Sequence, residues 1–119
     1  MALIYIITAL LYVLFEILVI NYRPILEDGE LEASYPSSHT MLAVSIFGSA
    51  CVYFAKKIEN TALKTVLTSM CVVFAALMPV GRMISGVHWF TDIIGGVLLG
   101  CAIVSFYMAL FNAINQTEK

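Results

Sequence analysis

The chain has 119 residues, of which 61% are hydrophobic and 12% charged, and its formal net charge is −2. With a mean hydropathy of +0.96, it is too apolar for an ordinary soluble domain, and so small a charge points to no nucleic-acid partner. The three cysteines, Cys51, Cys71 and Cys101, sit inside apolar runs without metal-type spacing and read as small buried apolar residues.

The chain divides into four apolar segments, at about 2–22, 36–55, 62–80 and 89–111. The first has about the 20 residues needed to cross a hydrocarbon core of about 30 Å. It carries neither a basic n-region nor a small-residue cleavage site, so a cleaved signal peptide is not expected. Glu16 interrupts it. An ionisable group at that depth calls for a polar interior, a partner or a function. The connector that follows begins at Arg23-Pro24 and carries Glu27, Asp28, Glu30 and Glu32. Pro24 cannot continue a helix normally, Asp28-Gly29 signals a turn, and the acids read as a solvated loop rather than a metal site.

Pro36-Ser37 reads as the start of the second span, which Lys56 and Lys57 end. The third is short, and Thr61 to Lys64 are expected to extend it as a snorkelling interfacial turn. Ser85-Gly86 breaks the next loop, and Trp89 suits a membrane interface. In the fourth, Gly96 and Gly100 have a small-xxx-small spacing that permits close helix packing. With four spans, Lys56, Lys57, Lys64 and Lys119 fall on one side of the membrane, and Arg23 and Arg82 on the other. The excess of lysine places both chain ends in the cytoplasm.

The polar residues then collect at the extracytoplasmic face: Arg23, the cluster Pro36-Ser37-Ser38-His39, and the stretch from Gly81 to Asp92 with Arg82, His88 and Asp92. Any one of these alone reads as the polar end of a membrane helix. Together they hold what an anionic phosphoryl group requires. Arginine forks neutralise oxygens, and backbone N–H groups at a helix start add donors. A histidine can serve as nucleophile or acid/base. On a helix, Asp92 would share a face with His88, where its carboxylate can accept the imidazole N–H and fix the tautomer.

Arg-Pro, then Pro-Ser-x-His, then Arg-x5-His-x3-Asp resembles the ordered motifs of the type 2 phosphatidic acid phosphatase superfamily, from about Glu16 to Gly100. The resemblance implies an all-α polytopic membrane helix bundle, with four transmembrane helices corresponding to the last four of the family's usual six. A short form, a truncated form or oligomerisation would each account for the difference. It also implies roles: His88 as the nucleophile that forms a phosphohistidine, Asp92 as the carboxylate that orients it, and His39 as the acid that protonates the leaving oxygen and then activates water. Arg23, Arg82, Ser37 and the backbone at Ser38 and His39 would cradle the phosphoryl group. His88 must be neutral to attack and His39 protonated, so their environments are expected to push their pKa values apart. No metal or other cofactor is implied.

Three positions depart from the family pattern. Its lysine before Arg-Pro is Glu16 here, which on a straight helix lies roughly 10 Å deeper than Arg23 on the same face. The glycine of Pro-Ser-Gly-His is Ser38, and the serine of Ser-Arg is Gly81. The expected activity is hydrolysis of a lipid phosphate or pyrophosphate at the extracytoplasmic face. The alternatives are a non-catalytic module that binds lipid phosphates through a degraded site, suggested by Glu16, and a metal-dependent membrane hydrolase, disfavoured by the lack of HExxH or a cysteine-histidine cluster.

Overall fold

A computed structural model of the chain describes residues 1–26 and 28–117. Glu27 of the acidic run and Lys119 of the orientation argument lie outside the described residues. Among those described, the chain forms four helices: α1 (Ala2–Ile17), α2 (Ser38–Lys57), α3 (Thr61–Ser85) and α4 (Phe90–Thr117). The last three are long and apolar enough to cross a membrane, while α1 is a shorter apolar helix.

The first boundary differs most from the sequence reading. The first helix stops at Ile17 rather than near residue 22 and is about 24 Å long. The chain leaves it at Leu18, with φ −88° and ψ 75°, and runs on through Val19 and Ile20. These β-branched residues suit extended backbone as well as a helix. The connector then folds back on itself. Tyr22 and Ala33 form an antiparallel bridge. Its flanking hydrogen bonds run from Arg23 N–H to the Glu32 carbonyl (3.0 Å) and from Ser34 N–H to the Asn21 carbonyl (2.8 Å). Asp28 (φ 53°) and Gly29 (φ 81°) make the turn between the arms. The stretch read as a solvated loop keeps Asp28, Glu30 and Glu32 exposed, and its two arms pair as a hairpin.

The second helix begins two residues later than expected, at Ser38, with Ser37 as its N-cap. The third is not short. It runs 25 residues, starts on the Asn60 side chain, which accepts from Leu63 N–H, and ends at Gly86 in the left-handed conformation (φ 70°). Thr61 to Lys64 form its first turn, as expected, and Arg82 belongs to its last turn rather than to a loop.

Close packing of α2 against α4 fixes the bundle. A Cβ on Gly96 would stand 2.7 Å from the Ser37 carbonyl oxygen, and one on Gly100 would stand 2.6 Å from Val44 Cβ. The small-xxx-small pair therefore lies on the α2 contact, and Gly48 offers the reciprocal notch for Val104. Ile4, Met41, Ile103 and Tyr107 join α1, α2 and α4 in one buried cluster. Phe47 stacks on Phe74 of α3 at 5.3 Å between ring centroids. The buried hydroxyls of Ser45 and Ser49 donate to carbonyls one turn earlier in α2, so they add no unsatisfied group to the seam.

This topology gathers the end of α1, the hairpin, the start of α2, the end of α3 and the start of α4 at one end of the bundle. Lys56, Lys57 and Lys64 lie at the other end. There Lys56 hydrogen-bonds Asn112, and both Lys56 and Lys57 approach the Phe111 ring, at 5.3 and 5.6 Å from its centroid.

Candidate active site

Asp92 is the anchor of this end. It sits in the first turn of α4 and is fully buried. Its Oδ2 accepts the Trp89 N–H at 2.8 Å, closing the exposed first turn of the helix as a capping acid does. Its backbone carbonyl accepts the Ser37 N–H at 2.9 Å, tying α4 to the start of α2. Ser34, delivered by the hairpin and 1% exposed, donates its hydroxyl to the same Oδ2.

His88 precedes α4 rather than lying on it, so the shared helix face expected for His88 and Asp92 does not form. The chain bends at Gly86 and brings the imidazole over the carboxylate by another route. Nδ1 stands 3.8 Å from Asp92 Oδ2, 3.2 Å from the Ser34 carbonyl oxygen and 3.4 Å from Ser34 Oγ. Nε2, on the opposite edge of the ring, is buried and makes no hydrogen bond.

In front of this pair lies a polar cavity of about 230 Å3. Of the residues singled out in the sequence, Arg23, Ser38, His39 and His88 line it. Asp92 stands behind His88. Arg82 is not part of the lining, but its charge, like that of Arg23, acts on both histidines. Ser37 is placed differently from a cradle residue: its side chain is fully buried, and its hydroxyl donates to Thr40 Oγ1 at 3.0 Å. Arg23 also pairs with Glu32 across the hairpin at 3.2 Å.

Glu16 needs correcting. A helix running through to residue 22 would hold it about 10 Å below Arg23, in the interior and with a partner. With α1 ending at Ile17, Glu16 falls in the last turn, is exposed, and shares the cavity wall with Arg23. Among the described residues it takes part in no salt bridge.

His88 lies outside the membrane-spanning helices, and its imidazole titrates below the ordinary value of 6.5. Burial is the largest cause, since it disfavours the charged ring. The positive charge of Arg23 comes next; Asp92 opposes it, Arg82 adds to it, and the Ser34 carbonyl opposes it weakly. The ring is therefore neutral at physiological pH. Among the described residues no group of three or more histidine, cysteine, aspartate or glutamate side chains is disposed to hold a metal ion.

Ser34 and Glu32 were not read from the sequence as part of the site. Ser34 lies 54 positions from His88, and no spacing rule connects them. Only the hairpin, with its turn at Asp28-Gly29, brings the two together.

A multi-pass helical bundle with a buried His–Asp pair behind an arginine-bearing polar cavity defines a class of membrane protein, and the comparisons place it. Residues 16–116 match the PAP2 superfamily, and the chain belongs to that family. The structure superposes with a TM-score of 0.74 on the crystal structure of a transmembrane PAP2 type phosphatidylglycerolphosphate phosphatase from Bacillus subtilis. The two are 24% identical, and the match covers 99% of this chain and 58% of that one. Lipid phosphate phosphatase delta of Arabidopsis thaliana is 27% identical over 86 residues, which are 71% of this chain and 21% of the plant protein. The chain thus spans less than two thirds of the length of either.

Proposed function

We propose that the protein is a phosphatase that removes a phosphoryl group from a membrane lipid phosphate or pyrophosphate through a phosphohistidine on His88. The observation that carries this reading is the His88 ring itself. Its Nδ1 edge is engaged, its Nε2 edge makes no hydrogen bond, and it lines a polar cavity with Arg23 and His39. Nε2 attacks phosphorus in line, and the bond to the leaving oxygen breaks. His39 gives that oxygen its proton. His39 then takes a proton from water, and the resulting hydroxide breaks the P–N bond, returning His88 as a neutral base. Arg23 and Arg82 offset the charge of the equatorial oxygens, helped by N–H groups at the start of α2. The lysines at the opposite end support an extracytoplasmic position for this cavity.

The test is phosphate release from a panel of lipid phosphates by the purified protein. Because the arginines and the helix N-terminus already supply positive potential, turnover is expected to survive EDTA. Vanadate is expected to inhibit by adopting the five-coordinate geometry of the transferring phosphoryl group. Loss of turnover in EDTA, restored by zinc or magnesium, would instead favour a metal-dependent hydrolase. Vanadate binding without turnover on any substrate would favour the lipid-phosphate-binding module.

The acid limb of the pH profile is a second test. Attack needs the neutral imidazole, and the neutral fraction of His88 falls as pH drops through its folded-state pKa. That pKa lies below the ordinary 6.5. The acid limb of kcat/KM is therefore expected below pH 6.5, separate from any basic limb due to His39. An acid limb above 6.5 would mean that the group titrating is not His88 in this environment.

A further inference from the structure

Both atoms nearest His88 Nδ1 belong to Ser34. The carbonyl oxygen at 3.2 Å is an acceptor only, so the ring must present N–H on that edge. The hydroxyl at 3.4 Å has its own proton committed to Asp92 Oδ2, so towards the ring it too can only accept. Asp92 Oδ2, at 3.8 Å from Nδ1, is beyond hydrogen-bond range. The Nδ1–H tautomer leaves the lone pair on Nε2, the form a nucleophile requires. We infer that Ser34 is a positioning residue that fixes the tautomer and orientation of His88, and that Asp92 acts on the ring through Ser34 rather than by direct contact.

The backbone explains why this residue occupies the position. Ser34 N–H bonds the Asn21 carbonyl, while two pairs further up the same hairpin Arg23 N–H bonds the Glu32 carbonyl. One short ladder therefore places both a cation of the cavity wall and the atoms that hold the nucleophile. A shift of the hairpin would move both together.

The inference rests on His88 being the nucleophile, so the decisive readout is one that does not need turnover. Nitrogen-15 NMR of the histidine-labelled full chain in detergent reports the tautomer and titration of His88 directly. The wild type is expected in the Nδ1–H form. In Ser34→Ala the carbonyl remains but the hydroxyl is gone, and Asp92 Oδ2 loses a donor. Its less-screened charge then favours the imidazolium, so the titration of His88 moves to higher pH, while the Ser34 carbonyl keeps the N–H on Nδ1. The other charged groups around the ring are unchanged in that variant: Arg23 and Glu32 on the hairpin, Glu16 on α1, His39 on α2 and Arg82 on α3.

In turnover, Ser34→Ala is expected to lower kcat by about 10- to 100-fold, with KM for the lipid phosphate nearly constant. Its acid limb should follow the NMR titration, and Ser34→Thr should restore both. If no form of the protein turns over, the phosphatase reading fails, and NMR still decides the role of Ser34. If Ser34→Ala does not fold, the wild-type tautomer and the Thr variant decide it. An Nε2–H tautomer in the wild type, or an unchanged His88 titration in a folded Ser34→Ala protein, overturns the inference.

Discussion

His88→Ala should reduce phosphate release by about 10^4-fold or more while the protein stays folded. The size of the loss follows from the role of the ring. With Nε2 gone, there is no covalent intermediate, and the arginines and His39 have no nucleophile to serve. A water attacking from the vacated space would lack the alignment that the ring edge provides. The fold is expected to survive because its main contacts are elsewhere. The α2–α4 seam at Gly96 and Gly100, and the cluster of Ile4, Met41, Ile103 and Tyr107, do not involve His88. Asp92 retains the Trp89 N–H and the Ser34 hydroxyl. Size-exclusion behaviour and thermal unfolding in detergent, measured beside phosphate release, check both halves. A folded His88→Ala protein with near-normal release would rule out the phosphohistidine route.

What the sequence disclosed depends on which forces leave a mark along the chain. Apolar runs locate α2, α3 and α4 because crossing a bilayer demands length and continuous hydropathy, and the start of α2 was misplaced by only two residues. The end of α1 leaves no such mark. Leu18, Val19 and Ile20 are as apolar as the helix before them, so hydropathy carries the span on to Tyr22, whereas the helix ends at Ile17 and the chain runs on to the hairpin arm that pairs at Asn21 and Arg23. The misplaced Glu16 follows from that single boundary. The end of α3 was misread for a similar reason. The apolar run fades at Arg82, yet the helix continues to Ser85 and stops where Gly86 adopts positive φ.

Within the site, the gathering of Arg23, Ser38, His39 and His88 on one cavity was legible from the alternation of spans, which sets all these stretches at one end. Side-chain direction was not legible. Ser37 stands in the same short motif as Ser38, but as N-cap it faces Thr40 and the α4 seam, where Gly96 approaches its carbonyl. The link from Asp92 through Ser34 to His88 depends on a hairpin register, which a few polar residues without alternation do not specify.

His39→Ala should be almost as damaging as loss of His88, and the loss should depend on the leaving group. His39 is the second residue of α2, is exposed, and lines the cavity together with His88. In the proposed mechanism it protonates the departing oxygen as the acid and deprotonates the attacking water as the base. General acid–base groups of this kind contribute about 10^2- to 10^4-fold. A lipid alkoxide is a poor leaving group and needs the proton. An aryl phosphate with an acidic phenol does not. On lipid substrate, His39→Ala should therefore fall by the upper part of that range with no phosphoenzyme visible, because the first step is blocked. On the aryl phosphate, the first step should proceed while hydrolysis of the P–N bond, which still needs a base, stalls. Phosphohistidine should then accumulate, labile to acid and stable to base, in an amount approaching one per chain. Radiolabelled aryl phosphate, quenched in alkali and resolved by gel, measures it. If His39→Ala loses the same factor on both substrates and no phosphoenzyme accumulates, His39 is not the proton donor to the leaving group.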